Sequence, residues 1–400
     1  MTIPPLLDKV DLPNLSHLSI DNCSPLLVRS ALRPTLKTLI LRFACIPFLD
    51  MLDFLACVPD LGELLLMDAV IPPFRRDPPI IPAVTRSISL PKLRTLSLSD
   101  RQSWATMPLL FTHLDIPQDV HVSVSFPDRS TSVDPATVLR IFISKLPRTQ
   151  AREIEEFRPR SIEMSSFSWT RLSVRLWARP QIWRYSSRDD RSKTSDSPNL
   201  SINIIGQDMF AGVTSEVLFD EIISTIFGML NLQELSTLSL VNMSDVPGEW
   251  CLPRMKHLET LMIRDANPRC GISRTIYPSC RTQDRVPYTP LPNLQTLEIA
   301  DMLWKECITR EATFSLKYTP SRLLVTALLE RVVQGLTKLQ LLLITRPHGL
   351  SPADVEVLSC PAHADRCIVT GTAMSIEERH MRNRRMFHPK MSYSEDEEIR

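Results

Sequence analysis

Residues 12–20 read L-P-N-L-S-H-L-S-I, and the spacing of Leu15, Leu18 and Ile20 within them recurs along the chain. The same Leu-x-x-Leu-x-Leu/Ile phrase stands at Leu36/Leu39/Leu41, Leu61/Leu64/Leu66 and Leu93/Leu96/Leu98. It returns at Leu235/Leu238/Leu240, Leu258/Leu261/Ile263, Leu294/Leu297/Ile299 and Leu339/Leu342/Ile344. A weaker copy is Phe111/Leu114/Ile116. The last two apolar residues of each copy alternate with polar ones, which is the period of a half-buried strand. The first lies three positions earlier and turns inward just before the strand. One such strand cannot bury its apolar side alone, whereas copies stacked side by side build a parallel sheet over a continuous core. Each buried Leu or Ile is worth roughly 1.5–3 kcal/mol relative to exposure.

Several copies share a proline shortly before the strand: Pro13, Pro34, Pro59, Pro91, Pro253 and Pro292. Proline lacks an N–H and fixes φ, so it suits the corner that enters a strand. This phrase and corner are the strand half of a leucine-rich repeat. Counted from the first leucine, the steps are 21, 25 and 32 residues, then 142, then 23, 36 and 45. Regular repeats run about 20–29 residues, so insertions are expected. The fold class is therefore α/β, an irregular leucine-rich-repeat solenoid. Parallel strands are expected on its concave face, with helices or loops on the convex face.

The 46 basic and 45 acidic residues leave a net charge of +1, which gives no long-range pull toward nucleic acid or an anionic membrane. Only 9 glycines stand against 33 prolines, so few places exist for backbone to cradle a phosphate. The nine cysteines show no disulfide framework. Cys23, Cys45 and Cys57 fall in or beside repeats, where small apolar side chains pack. They read as reduced thiols of an intracellular protein, cytoplasmic or nuclear. The opening M-T-I-P-P-L-L-D-K-V-D has no basic region followed by a long apolar run. No stretch approaches the ~18 apolar residues of a membrane span.

Four segments follow. Residues 1–116 hold the N-terminal repeats. Within them, F-L-D-M-L-D-F-L-A-C-V (48–58) is expected as a convex-side helix, with Leu49, Leu52 and Leu55 or Ala56 inward and Asp50 and Asp53 in water. The proline-rich stretch 71–89 is expected as a loop. Residues 117–200 are degenerate repeats or an insertion, with strands at 120–126, 171–177 and 200–205. A helix opened by Asp134 and Pro135 is expected at 134–146, and a flexible loop near 185–198. Residues 201–350 carry the C-terminal repeats, with helices at 215–230 and 321–335 and a loop at 267–290. Residues 351–400 form an extension. It has a charged helix at 375–387, carrying Arg379, Arg382, Arg384 and Arg385, and an acidic tail at 394–399.

No G-x-G-x-x-G, Walker-type loop, H-E-x-x-H or G-x-S-x-G occurs, so neither an enzyme nor a cofactor is expected. Cys360, His363 and Cys367 lie within reach of one another and are zinc-type ligands. Three ligands at an unconventional spacing do not make a site, and no metal is expected. Trp169, Trp177 and Trp183 interleave with Arg171, Arg175, Arg179 and Arg184, a pattern that can stack single-stranded RNA. The alternation of Leu172, Val174 and Leu176 instead favours a packed strand with outward arginines.

Solenoids bind on the concave face. Its outward positions form columns. One runs His17, Thr38, Glu63, Thr95, Thr237, Thr260, Thr296, Leu341. The next runs Ser19, Ile40, Leu65, Ser97, Ser239, Met262, Glu298, Leu343. The threonines are equally accounted for by strand propensity. Ile40, Leu65, Met262, Leu341 and Leu343, exposed on such a face, favour a protein partner over nucleic acid.

L-P-N-L-S-H-L-S-I-D-N-C, F-L-D-M-L-D-F-L-A-C-V-P-D-L-G-E-L-L-L (48–66), L-P-K-L-R-T-L-S-L-S-D (90–100) and L-P-N-L-Q-T-L-E-I-A-D (291–301) together resemble the leucine-rich-repeat region of fungal F-box-type proteins, above all the basidiomycete expansion. The resemblance spans roughly residues 10–345. It implies substrate recognition for a cullin-type ubiquitin ligase. Members carry an N-terminal F-box with a Leu-Pro-x-Glu-type phrase that docks a Skp-type adaptor. No such phrase is visible here, so that adaptor is expected as a partner only if an F-box lies upstream. The alternatives are a free-standing repeat protein that binds or inhibits a partner without ubiquitin, and RNA binding through residues 169–184. Nucleic acid is disfavoured and no membrane partner is expected.

Overall fold

Alternating apolar and polar residues demand extended backbone, and each of the eight phrases supplies it. The strands of the main sheet are β1 (His17–Asp21), β2 (Thr38–Arg42), β3 (Glu63–Met67), β4 (Thr95–Ser99), β5 (His121–Asp128), β6 (Ser161–Ser168) and β7 (Arg171–Trp177). They continue with β8 (Leu200–Gly206), β9 (Thr237–Val241), β10 (Thr260–Arg264), β11 (Thr296–Ala300), β12 (Leu339–Thr345) and β13 (Ala364–Thr370). The computed structural model describes residues 14–71, 87–99, 106–117, 120–128, 158–168, 171–181, 198–206, 223–243, 254–264, 280–281, 287–288, 291–302, 304 and 320–371. The fold is α/β, with a large, mostly parallel sheet of 13 strands. The chain divides into two compact units, one of Met1–Glu163 with Thr170–Thr237, the other of Met164–Trp169 with Leu238–Arg400.

In the first unit the strands run in the order β1-β2-β3-β4-β5-β8-β7. From β1 to β5 all neighbours are parallel and in matched register, His17 opposite Thr38, Thr38 opposite Glu63, Glu63 opposite Thr95. The inward residues Leu39, Leu41, Leu64, Leu66, Leu96 and Leu98 are at most 4% exposed. Before each strand a tight turn closes on the first leucine of the phrase. The N–H of Leu36 donates to Arg33, that of Leu61 to Val58 and that of Leu93 to Leu90. The next carbonyl accepts two N–H groups from the following repeat. Ser16 accepts from Lys37 and Thr38, Lys37 from Gly62 and Glu63, and Gly62 from Arg94 and Thr95. Pro34, Pro59 and Pro91 stand in these corners, where the missing N–H takes nothing from the ladder.

After β1, β2 and β3 the chain turns through a left-handed residue. Asn22, Phe43 and Asp68 have φ of 50°, 52° and 47°. Their N–H groups donate to Arg42, Met67 and Ser99, so the ladder runs one bond past the strand.

The middle strands join the sheet in another way. β8 is parallel to β5 and antiparallel to β7. The expected strands at 120–126, 171–177 and 200–205 are β5, β7 and β8, whereas β6 and β13 were not foreseen. The weak copy Phe111/Leu114/Ile116 is not a strand of this sheet. Phe111 belongs to α3 (Thr106–His113), and Leu114–Asp115 forms a short ladder with Ile88–Ser89. The reason is the unbroken apolar run from Met107 to Phe111, which buries a helix on nearly all sides. Two further helices, α1 (Pro25–Ala31) and α2 (Phe48–Ala56), follow β1 and β2. In α2 the buried stripe is Phe48, Met51, Leu52 and Leu55 with Phe54, while Leu49 is 69% exposed. Ala56 is also exposed, so the expected inward stripe is shifted; Asp50 and Asp53 do face water. Cys45 and Cys57 are exposed and Cys23 half-exposed, free thiols outside the core rather than packed within it.

In the second unit, β9 to β13 follow chain order. Leu238, Leu240, Leu261, Ile263, Leu297, Ile299, Leu342 and Ile344 are all at most 2% exposed. The corners repeat: Leu258 donates to Met255, Leu294 to Leu291, and the Glu259 carbonyl accepts from both Gln295 and Thr296. The left-handed residues here are Asn242, Asp301 and Arg346, donating to Arg264, Thr345 and Thr370. α4 (Pro320–Val333) buries Arg331, whose guanidinium donates to the Leu291 carbonyl at 3.0 Å and so pins the L-P-N-L corner. Burial lowers the Arg331 pKa to about 10. α5 (Pro352–Leu358) opens on a capping box between Ser351 and Asp354, and the Ser321 hydroxyl of α4 donates to the same carboxylate.

Residues 223–229 are helical with Ile226 and Leu230 buried, part of the helix expected at 215–230. The helix expected at 134–146, the loop at 185–197, the charged helix at 375–387 and the tail at 394–399 lie outside the described residues, as do most of 71–89 and 267–290. Among the described residues no helix is long and apolar enough to cross a membrane.

Candidate partner-binding face

Because side chains alternate across a strand, burying the leucines on one face puts the intervening residues on the other. In the first unit the columns form as spaced. His17, Thr38, Glu63 and Thr95 are register neighbours, as are Ser19, Ile40, Leu65 and Ser97. His17, Ser19 and Glu63 are exposed; Thr38, Ile40, Leu65, Thr95 and Ser97 are half-buried. Ile40 and Leu65 stand side by side on adjacent strands, about 4.8 Å apart. The columns extend further than the phrases do. His121 and Ser123 of β5 continue them, followed by Ser201 of β8 and Arg175 of β7. The alternation of V-H-V-S-V-S-F pointed to these positions, but without the leucine phrase it did not give their neighbours.

Two described side chains of the Trp/Arg segment are already engaged within the fold. Trp177 is 2% exposed, and the Arg175 guanidinium is held by Glu163 at 2.9 Å. Arg179 is exposed. Trp169, Trp183 and Arg184 lie outside the described residues, and of Arg171 only the backbone is described. Leu172, Val174 and Leu176 are buried as the alternation requires, and Ser173 is buried as well.

In the second unit Thr260, Thr296 and Leu341 form one column and Met262, Glu298 and Leu343 the next. Arg366 and Ile368 of β13 extend them. Thr260, Thr296, Glu298, Leu341 and Leu343 are half-buried. Three of the residues expected on an open face are not open. Met262 is 4%, Thr237 6% and Ser239 1% exposed. In β9 both faces are covered, which takes Thr237 and Ser239 out of a partner's reach.

Glu298 is the one carboxylate in these second-unit columns. Burial raises its pKa to about 7 against the opposing charge of Arg264. Nearby, the buried Asp301 carboxylate takes Arg346 at 2.6 Å and Arg264 at 3.9 Å.

Cys360, His363 and Cys367 do not assemble a ligand set. His363 is 1% exposed and its Nε2 lies 2.8 Å from the Leu358 carbonyl, which commits that nitrogen to the backbone. Burial lowers the imidazole's pKa. Cys360 is exposed, and burial raises the pKa of the half-buried Cys367 thiol. Among the described residues no cluster of three or more His, Cys, Asp or Glu side chains could hold a metal ion. No family model matches the chain, and a search of curated proteins finds no match to it.

Proposed function

We propose that the chain is an irregular leucine-rich-repeat solenoid that binds a protein partner through its strand face and performs no catalysis. The observation that carries this reading is the pair Ile40 and Leu65. They are half-buried apolar side chains, register neighbours on the face opposite the leucine core, framed by Thr38, Thr95 and Ser97. Apolar groups set among hydroxyls suit a protein surface, which wants an apolar centre and a polar rim. By its resemblance to fungal F-box-type repeat regions, the role is substrate recognition for a cullin-type ubiquitin ligase, inside the cell.

Position-specific photo-crosslinking tests it. A photoreactive amino acid replaces Leu65 on the strand face, or Leu49 on the outer side of α2, in the full chain, and extract of the source cells is irradiated. The expected result is a discrete crosslinked protein from position 65 and none from position 49. Equal yields from both, or none from position 65, contradict the strand face as the binding surface. A Skp-type adaptor co-isolating with the chain supports the ubiquitin role. Crosslinks without it favour a free-standing binding protein.

A further inference from the structure

Glu298 occupies the middle of the second unit's strand face. Register places it between Met262 of β10 and Leu343 of β12, with Thr296 two residues before it on the same face. The side chain is half-buried. Among the described residues its carboxylate makes no hydrogen bond and no ion pair. The cation whose charge acts on it, Arg264, approaches the buried Asp301 carboxylate at 3.9 Å, and Asp301 also holds Arg346 at 2.6 Å. A carboxylate partly removed from water and framed by Met and Leu is unfavourable until something pairs with it. The exposed Glu63 of the first unit is different, since water already solvates it and pairing there adds little.

We propose that Glu298 is the recognition point for a basic side chain, Lys or Arg, that a protein partner presents between apolar residues. This rests on the strand-face reading above and names the chemistry that face selects. Charge complementarity supplies the first argument: an under-compensated anion on an apolar surface favours a cation over any neutral group. Geometry supplies the second. The alkyl stem of a Lys or Arg lies along apolar surface while its head reaches a charge, and the half-buried Leu343, register neighbour of Glu298, offers that surface, while the buried Met262 closes the other side. Desolvation supplies the third. Burial drives the Glu298 pKa up to about 7, and an arriving cation offsets that effect by favouring the charged form.

The test is selection of a random-peptide phage library on the full chain, followed by affinity measurement on Glu298→Gln. Enriched peptides should carry Lys or Arg beside apolar residues. They should bind Glu298→Gln about tenfold or more weakly, a loss of ~1.4 kcal/mol. Binding to Glu356→Gln, altered on the exposed side of α5, should be unchanged. Replacing the peptide's Lys or Arg by Met should reproduce the loss with the chain untouched. Glu298→Gln should melt no lower than the parent chain, because it removes an unpaired, half-buried charge; a lower melt overturns the proposal. Enriched peptides that are displaced by Leu341→Asp but lack a basic residue, or that bind Glu298→Gln unchanged, overturn the proposal and leave the strand-face reading standing. No enrichment on the full chain counts against both.

Discussion

The residue two places after the last apolar position of the phrase decides how each repeat turns away from the sheet. In Asn22, Asp68, Asn242 and Asp301 it is Asn or Asp, and each is left-handed with its N–H on the next strand. Short polar side chains visit that region at least cost because they bond to nearby backbone. Phe43 and Arg346 hold the same conformation without that help. This signal lay in the sequence, in D-N, M-D, V-N and A-D, and leucine spacing alone passes over it. Asp100 and Asp265 take the same place in the phrase and lie outside the described residues. Asn22 is exposed at φ 50°, so its side chain has little packing to lose. Asn22→Gly should leave stability within about 0.5 kcal/mol, and Asn22→Val should lower it by roughly 1–2 kcal/mol. Urea unfolding of both variants measures this. Equal stability for the two would remove the left-handed corner from the description.

At the scale of elements, strands were easier to read than helices. A period of two offers only two registers, and leucine picks one. α2 offers more choice, because F-L-D-M-L-D-F-L-A is apolar at seven of its nine positions. Leu49, Leu52 and Leu55 recur at three-residue steps, but the stripe that packs is Phe48, Met51, Leu52 and Leu55. The two-residue ladder of Ile46–Pro47 with Val70–Ile71 leads straight into the helix and fixes its rotation. That contact is not local in sequence, so the periodicity could not supply it. Leu52→Ala should destabilise by roughly 2–5 kcal/mol as a buried leucine, and Leu49→Ala by less than about 0.5 kcal/mol. Thermal and urea unfolding of the two variants decide it; comparable losses would restore the three-residue stripe. β6 escaped notice for another reason. S-I-E-M-S (161–165) does alternate polar and apolar residues, but without the leucine phrase, and its polar positions Ser161, Glu163 and Ser165 are buried alongside Ile162 and Met164.

Across the whole molecule, the phrase made the parallel neighbours legible wherever it occurs, because adjacent copies pair in matched register in both units. It could not order the strands between 117 and 206. Local alternation says that a segment is extended, but not which strand lies beside it. The placement of β8 next to β5 and antiparallel to β7 is therefore structural information. The candidate face follows the same division. The columns came from spacing, and the burial of Thr237, Ser239 and Met262 did not, since it depends on what covers the second face. One register, leucines inward and threonines outward in both units, underlies the fold and the face together. The most direct measurement is urea unfolding of Leu96→Ala and Thr95→Ala in the first unit and Leu297→Ala and Thr296→Ala in the second. The leucine variants should each lose roughly 2–5 kcal/mol and the threonine variants less than about 1 kcal/mol. Threonine losses as large as the leucine losses, in either unit, would contradict it.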